Sequence, residues 1–315
     1  MFKNVMVYRI GPAWSATLEQ IEESLQKERF VECGASQERA VGWVEPRGEA
    51  HGPLAESVGG QIILKLMVEA KAVPSAVVKR KADERAKEIE TATGRKPGKK
   101  ELRDLREEAK LTLLPMAFSK RGTVVVWLDP MERWLVIDAA SQGRADEVIS
   151  CLVKALDDFS VLQLNTQTSA TAAMSEWLSS QEPPAGFSVD RECELKAVDA
   201  SKSVVKYAHH ALDIEEVKQH IAEGKLPTKL AMTWDARVSF MLTESLQIRK
   251  ITFLDGVFEG TSQEKEDGFD ADAAIATGEI GRLLPDLIEA LGGEMLREAA
   301  PLADPTAAAP ADAVA

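Results

Sequence analysis

The feature that most constrains this chain is a highly charged helical pattern in residues 75–115. Pro97, flanked by turn-forming residues and followed by Gly98, breaks the pattern because proline lacks a backbone donor and glycine permits turn conformations. Two helices are therefore predicted, over residues 75–93 and 99–114, with Pro115 ending the second. Each has only a narrow apolar stripe, which suits a projecting helical hairpin better than a buried layer. The stripe residues are Val78, Ala82, Ala86 and Ile89, then Leu102, Leu105, Ala109 and Leu113.

Charge is unevenly distributed along the chain. Residues 65–121 contain 16 Lys or Arg and 9 Asp or Glu, whereas the whole chain of 315 residues has a net charge of −13. From Asp255 onward there are 3 basic and 14 acidic residues. This distribution excludes a uniformly basic nucleic-acid-binding protein and predicts one basic segment on an acidic body.

The second predicted helix carries its basic residues on one side. At about 100° per residue, one basic group spans only about 60° of the helix surface. Its members are Lys99, Arg103, Arg106 and Lys110. Steps of three and four residues here join like charges, which costs roughly a few tenths of a kcal/mol per pair. An anionic partner along this stripe would explain that cost; a solvated helix face and salt bridges between subunits are the alternatives.

Outside the hairpin, strand-like and helical patterns follow one another without the regular βαβ alternation of a parallel sheet. Strands are predicted over residues 5–10, 61–68, 123–128, 134–137, 204–208, 229–233, 237–242 and 248–254. Helices are predicted over residues 17–27, 144–156, 174–179, 214–222 and 271–297, the last interrupted at Gly278, Gly281 and Pro285. The predicted fold class is α+β, with mixed sheets, flanking helices and the projecting basic hairpin.

The domain prediction places a boundary where the chain turns polar and small, at residues 165–171. Residues 1–74 with 116–165 form a first α+β unit, and residues 75–115 form the basic helical hairpin as its tip. Residues 166–298 form a second α+β unit. Residues 299–315 are nearly all Ala, Pro and Asp, a composition that predicts disorder.

No catalytic, cofactor-binding or metal-binding motif stands out, so we expect no enzyme activity and no cofactor. The run from Gly94 to Lys100 has one residue too few between its glycines for a phosphate-binding loop. The adjacent His209 and His210 would point to opposite sides of a strand, which disfavours a shared metal. The tryptophans at positions 43, 127, 134 and 234 lie in apolar runs typical of a core rather than of base stacking.

The location expected from the sequence is cytoplasmic. No run approaches the roughly 18 to 20 apolar residues of a membrane helix, and the first residues lack a signal-peptide pattern. The three cysteines (Cys33, Cys151 and Cys193) are widely spaced, which favours free thiols in a reducing compartment.

Several short segments, in order along residues 1–298, resemble the bacterial recombination-associated protein RdgC family. They are FKNVMVYR at residues 2–9, GWV at 42–44 with Pro46, LLPMAFS at 113–119, WLD at 127–129, GK at 224–225, TKLA at 228–231 with Trp234, FDAD at 269–272, TGE at 277–279 and LGGE at 291–294. None is a catalytic fingerprint, and the resemblance rests on their common order.

The resemblance implies a non-enzymatic protein that binds double-stranded DNA with little sequence preference. Such proteins form ring-shaped homodimers with a positively charged central hole, associate with the nucleoid, and oppose RecA-dependent recombination by encircling or coating DNA. An acidic exterior with a basic lumen would agree with the charge distribution of this chain. A two-fold axis would present the basic stripe twice. No membrane partner is expected.

Site residues follow from the stripe and from the resemblance together. The predicted DNA-binding residues are Lys99, Lys100, Arg103, Arg106, Lys110, Lys120, His209, His210, Lys225, Lys229 and Arg237. Phe118 matches a family position at a ring interface, with a buried core phenylalanine as the alternative. This chain departs from its relatives at His209-His210, where a basic or polar pair is usual, and at Met116, where some carry Arg. Both departures remove fixed positive charge and put DNA contact there in doubt, or make it depend on pH.

A protein-interaction scaffold is the alternative function. In that hypothesis the basic hairpin docks an acidic protein partner, and any DNA binding is incidental.

Overall fold

The computed structural model describes residues 1–258 and 268–295. The strands are β1 (Val5–Ile10), β2 (Arg39–Val44), β3 (Ala55–Val58), β4 (Gln61–Lys71), β5 (Ser119–Asp129), β6 (Trp134–Asp138), β7 (Val161–Gln163), β8 (Phe187–Ala197), β9 (Val204–Ala208), β10 (Lys225–Trp234), β11 (Val238–Thr243) and β12 (Ile248–Phe253). The α-helices are α1 (Leu18–Lys27), α2 (Ser75–Thr93), α3 (Lys99–Leu113), α4 (Gln142–Ala155), α5 (Ala170–Ser180), α6 (Glu215–Ala222), α7 (Asp255–Phe258) and α8 (Gly268–Ala290). One 3-10 turn, Leu114–Met116, follows α3.

The twelve described strands lie in a single sheet. Its order is β2-β4-β5-β6-β1-β12-β11-β10-β8-β9, with β3 beside β4 and β7 beside β1. The α+β prediction is confirmed, but every pairing between these strands is antiparallel. The chain therefore has one large antiparallel sheet and not the mixed sheets predicted from the sequence.

The sheet continues across the predicted domain boundary through a narrow junction between β1 and β12. Val5 lies opposite Ile248, and the Ile251 amide donates to the Lys3 carbonyl oxygen at 3.0 Å. Nearby, the Lys250 amide donates to the Asn4 side chain at 3.3 Å. The division into two α+β units stays a prediction, and this short junction is where such units would meet.

Strand β1 is buried on both faces because side chains of a strand point alternately to opposite sides. Val5 and Val7 belong to a core cluster that includes buried residues of α5 and α8. Met6 and Tyr8 belong to a second cluster, which includes buried residues of α1 and α4. The apolar VMVY run thus follows from a central position between two helical layers.

The two helices predicted in this segment are present, with α2 and α3 separated by residues 94–98. Gly94 ends α2 in the left-handed region (φ 69°), where glycine has no Cβ penalty. The two helices bury a small cluster of their own: Ala82 from α2 with Leu105 and Ala109 from α3. This matches the narrow stripes in the sequence.

Helix α8 differs from its prediction because it runs without interruption through Gly278, Gly281 and Pro285. Its buried face, which includes Ile280 and Leu284, packs into the main core, and tertiary packing of this kind outweighs local helix propensity. The helix ends at Ala290, before its predicted end at Arg297, and left-handed Gly292 and Gly293 (φ 80° and 96°) follow it. Arg297 itself and the predicted disordered tail at 299–315 lie outside the described residues.

Strand β8 is the principal element that the sequence prediction missed. It is eleven residues long and pairs with both β10 and β9. Its apolar residues recur at alternate positions, including Phe187, Cys193 and Leu195, which are buried. Arg191 stands at one of these alternate positions and breaks the period-2 signal, and a bulge opposite Leu230–Met232 interrupts the register.

The tryptophan prediction is confirmed: the side chains at positions 43, 127, 134 and 234 are all at most 5% exposed. The indole of Trp127 donates to Gln61 at 2.6 Å, and that of Trp234 donates to Asp286 at 2.7 Å. All three cysteines are free thiols. Within residues 1–258 and 268–295, no helix combines the length and apolar character needed to cross a membrane.

Arg9 fastens the segment after α8 to the centre of the sheet. Its guanidinium forms a forked pair with Glu294, with Nη2 at 2.6 Å and Nε at 2.9 Å from carboxylate oxygens. The guanidinium carbon also lies 3.5 Å from the Trp134 ring centroid. Charge-assisted forks and cation–π contacts of this kind stabilise partly buried sites.

Replacing Arg9 with Met should lower the free energy of unfolding by about 2 kcal/mol, because Glu294 loses its partner while the side-chain stem still covers Trp134. Urea unfolding followed by tryptophan fluorescence would measure the change. The control is Lys154→Gln, which breaks an exposed pair with Glu28 and should cost less than about 0.5 kcal/mol. Equal losses in the two variants would contradict this role for Arg9.

Candidate nucleic-acid interface

The basic stripe on α3 is exposed to solvent. Lys99, Lys100, Arg103 and Arg106 are all exposed. Within the described part of the chain, none of the four forms an ion pair, whereas α2 has the pairs Arg80–Glu84 and Arg85–Glu88. The stripe therefore presents positive charge that the described residues do not neutralise by direct contact.

Lys110, the last residue of the predicted stripe, has a different environment. Its ammonium lies 2.7 Å from the Glu38 carboxylate, in the segment that precedes β2. The hydrogen bond to Glu38 raises the pKa of Lys110. Lys110 thus ties the end of α3 to the sheet, and an incoming anion would compete there with a carboxylate.

A buried carboxylate organises the root of the hairpin, where β4 leads into α2 and β5 leaves the 3-10 turn. Glu69 is 3% exposed and accepts the Cys33 amide at 2.8 Å and the Arg121 Nε at 3.2 Å. The hydrogen bond from the Cys33 amide, with further bonds from Ser119 and Arg121, lowers the pKa of Glu69 to about 2. Lys120 lies beside this site on β5 and is exposed.

Phe118 lies at the same root and is 93% exposed, so the alternative of a buried core phenylalanine is wrong. Met116 is 69% exposed and Leu111 is 54% exposed in the adjoining turn and helix. Large apolar side chains exposed close together in sequence commonly mark interaction surfaces. The assignment of Phe118 to a dimer interface stays a prediction.

The predicted cations of the second half are already paired with carboxylates. Lys225 lies 3.1 Å from Glu223, and Lys229 lies 3.1 Å from Glu194. Arg237 forms a fork with the buried Glu279, at 2.9 Å and 2.6 Å. A phosphate at any of these three positions would share the cation with a carboxylate of the protein.

His209 and His210 follow β9 and are both exposed. His209 adopts a left-handed backbone (φ 56°), which turns the chain away from the strand. The His210 Nδ1 lies 2.8 Å from the Ala211 carbonyl oxygen, and its ring centroid is 5.9 Å from that of Tyr207. The histidine pair therefore lies at a surface turn that directly follows Tyr207 and Ala208.

A cleft of about 530 Å³ opens on the sheet where β8, β9 and β10 approach β12. Four cations and two carboxylates line it: Lys206, Lys229, Arg249, Lys250, Glu192 and Glu194. Of these, the sequence prediction had found only Lys229. Lys206 lies in the predicted strand 204–208 and Arg249 in the predicted strand 248–254, but their proximity depends on β8, which was not predicted.

The two carboxylates of the cleft form ion pairs with its three lysines. Lys250 pairs with Glu192 at 2.7 Å, while Lys206 and Lys229 both pair with Glu194 at 3.1 Å. Burial disfavours the charge on Glu194, but hydrogen bonds from Thr228 and the two lysines outweigh it and lower its pKa to about 2. The Arg249 guanidinium instead donates to the Ala140 carbonyl oxygen and the Gln247 side chain.

The fold does not bring all the predicted site residues together. The hairpin root lies on β4 and β5, whereas the cleft is lined by β8, β9, β10 and β12, and β6 and β1 separate β5 from β12 in the sheet. One chain therefore has two basic regions: the α3 stripe, where Lys110 pairs with Glu38 but Lys99, Arg103 and Arg106 have no ion pair in the described residues, and the cleft, whose lysines are paired.

Glu69→Gln should flatten the acid dependence of stability. Because the pKa of Glu69 is lowered from 4.5 to about 2 in the folded chain, its ionisation stabilises the fold above about pH 4.5. That contribution is lost as pH falls toward 2. Urea unfolding at several pH values in this range gives the free energy of unfolding as a function of pH. That free energy should change less with pH in Glu69→Gln than in the wild type. Glu84→Gln, on the exposed surface of α2, controls for the lost charge. If the free energy of unfolding of Glu69→Gln depended on pH as strongly as that of the wild type, the prediction would be contradicted.

The comparisons with known proteins agree on one family, and the matches cover nearly the whole chain. The family model described as "Putative exonuclease, RdgC" matches residues 1–294. The chain is 44% identical over 301 residues to the recombination-associated protein RdgC of Dechloromonas aromatica, covering 94% of this chain and 98% of the relative. It is 44% identical to the same-named protein of Cupriavidus necator and 41% identical to that of Bordetella pertussis, each covering 93% of this chain and 98% of the relative. The matches confirm the resemblance found in the sequence, and the chain belongs to the RdgC family of recombination-associated proteins.

Proposed function

We propose that this protein binds double-stranded DNA without sequence preference, is not an enzyme, and opposes RecA-dependent recombination by encircling or coating the duplex. The observation that carries the proposal is the α3 stripe. Lys99, Arg103 and Arg106 are exposed and lack an ion pair in the described residues, on a chain whose net charge is −13. Positive charge confined to one surface of an acidic protein attracts a polyanion to that surface only.

The binding mechanism is neutralisation of phosphates. Each Lys or Arg that contacts a phosphate releases condensed counterions from the duplex, so affinity falls steeply as salt rises. Contacts of this kind position the protein on DNA but carry no direct sequence information. Lys and Arg spaced along one helix face, without neighbouring Asn or Gln, support backbone contact more than readout of base edges.

Ring formation by two copies is part of the proposal. The exposed Phe118, with Met116 and Leu111 nearby, is an apolar surface suited to a contact between copies. A closed two-fold assembly would bring two α3 stripes around one duplex and direct the acidic surfaces outward. A duplex enclosed in this way is not accessible to strand invasion, which would account for the opposition to RecA. Such a protein would be cytoplasmic and associated with the nucleoid.

Two alternatives make different predictions. If the hairpin docks an acidic protein, the exposed apolar residues beside it would belong to that interface.

If the chain degrades DNA, as the description of the family model suggests, it would shorten an end-labelled duplex when Mg²⁺ or Mn²⁺ is added. No group of three or more potential metal-ligating side chains comes together in residues 1–258 and 268–295. Incubation with labelled duplex tests cleavage directly, and shortening of the label would overturn the non-enzymatic part of the proposal.

Charge reversal on α3 tests DNA binding. The triple variant Lys99→Glu, Arg103→Glu, Arg106→Glu should weaken duplex affinity by about a hundredfold at about 50 mM salt and reduce the slope of log affinity against log salt by about three. Fluorescence anisotropy with two unrelated duplexes would measure both quantities.

The matched control reverses three cations of α2, with Arg80→Glu, Arg85→Glu and Lys87→Glu. It changes the net charge of the same hairpin equally but leaves the stripe intact, so its effect should be much smaller. Unchanged duplex affinity in the α3 variant would reject the proposal, and loss of a protein partner instead would favour the scaffold. A strong preference for one duplex would contradict sequence-independent binding.

Phe118→Ser should weaken self-association, because it removes an apolar side chain that is 93% exposed. A rise of about a hundredfold in the dimer dissociation constant is expected for an anchor residue at an interface. Sedimentation velocity would measure it. Met131→Ser, at a position 86% exposed in the β5–β6 turn, is the control. A wild-type chain that is monomeric throughout, or equal effects of the two variants, would contradict the proposed ring.

A further inference from the structure

We infer that Glu194 is an internal competitor of DNA phosphate, which limits how tightly the cleft holds a duplex. The inference rests on the DNA binding proposed above and assigns a regulatory residue to a second contact region. It concerns the cleft formed by β8, β9, β10 and β12, and not the α3 stripe.

The geometry places Glu194 between two lysines on adjacent strands. Strand β8 lies between β10 and β9, and Glu194 is opposite Lys229 on one side and opposite Lys206 on the other. Opposite residues of antiparallel strands project from the same face of the sheet. The three side chains therefore form a row across three strands, and the carboxylate lies 3.1 Å from each ammonium.

The carboxylate is held more firmly than the lysines. The Thr228 hydroxyl also donates to Glu194, at 2.8 Å. The Glu194 side chain is 18% exposed. The Lys206 side chain is 68% exposed and that of Lys229 is 40% exposed. An anion arriving from solvent would thus meet the lysines first, with the carboxylate fixed beneath them.

The remaining charges of the cleft make it attractive to an anion in spite of Glu194. Lys250 and Arg249 contribute two more cations, and Glu192 contributes the second carboxylate. Cations therefore outnumber carboxylates by four to two. The cleft combines a net positive charge with lysines whose charge is already partly balanced.

Phosphate binding in such a cleft is an exchange of partners. A phosphodiester that approaches Lys206 or Lys229 replaces part of an existing ion pair, so each contact adds less affinity than a contact with an unpaired cation. It also neutralises less phosphate charge and releases fewer counterions. The cleft would therefore guide the duplex with short-lived contacts, which favours exchange and movement along DNA.

Glu194→Gln tests this directly, because glutamine keeps the shape of the side chain and one acceptor oxygen but removes the charge. The variant should bind duplex DNA about tenfold more tightly at about 50 mM salt, and its salt slope should steepen by about one to two as two lysines become available. Glu28→Gln is the matched control: it also removes a carboxylate paired with a lysine, Lys154, but outside the cleft and the hairpin.

A second pair of variants separates competition from a purely structural effect. Lys206→Gln alone should reduce affinity less than twofold, because Glu194 already balances part of that charge. The same substitution in the Glu194→Gln background should reduce affinity by about fivefold. It should also bring the steepened salt slope part of the way back to that of the wild type. A folding defect would lower affinity in both backgrounds and would not produce this non-additivity.

The outcomes distinguish this inference from the proposed function. A wild-type chain without measurable duplex affinity rejects DNA binding itself. If the wild type binds DNA but Glu194→Gln has the same or lower affinity and an unchanged salt slope, the inference about Glu194 fails and the proposed function stands. Additive effects in the Lys206 and Glu194 cycle would also overturn the inference.

Discussion

Burial of β1 on both faces is the constraint on which the rest of the fold depends. Val5 and Val7 pack toward α5 and α8, while Met6 and Tyr8 pack toward α1 and α4, so the strand must have helices above and below it. One edge pairs with β6 and the other with β7 and β12, and β6 and β12 come from opposite halves of the chain. One short apolar strand thus joins both helical layers and both halves of the sheet.

Charge is organised by how strongly each cation is paired. Arg237 and Glu279, like Arg9 and Glu294, form forked pairs that hold helix α8 and the segment after it to the sheet. In the cleft, lysines share carboxylates and keep exposed side chains. On α3, Lys99, Arg103 and Arg106 are exposed and have no ion pair in the described residues, while Lys110 pairs with Glu38. These arrangements form a series from structural ion pairs, through exchangeable ones, to cations directed at solvent.

Sequence reasoning was most successful where a local signal decided the structure. The hairpin turn at Pro97 and the bounds of β1 and β9 were predicted closely, because breakers and apolar runs are local features. The continuity of α8 through Pro285 depends on a core assembled from distant segments, which no local window contains. The cleft was missed for the same reason. Lys206 and Lys229 face Glu194 only when β8 lies between β9 and β10, and Arg191 at an otherwise apolar position of β8 hid that strand.

The central position of β1 also affects the order in which the chain is completed during synthesis. β1 is made first. On one of its edges, β7 pairs with residues 8–10 and is made about 150 residues later, whereas β12 pairs at Val5 and follows about 240 residues later, roughly ten seconds or more at ribosomal rates. Until β12 is made, only the part of that edge around Val5 lacks its native partner. The start of β1 would therefore be the last part of the strand to gain its native partner, and its sheet would close across the two halves of the chain only late in synthesis.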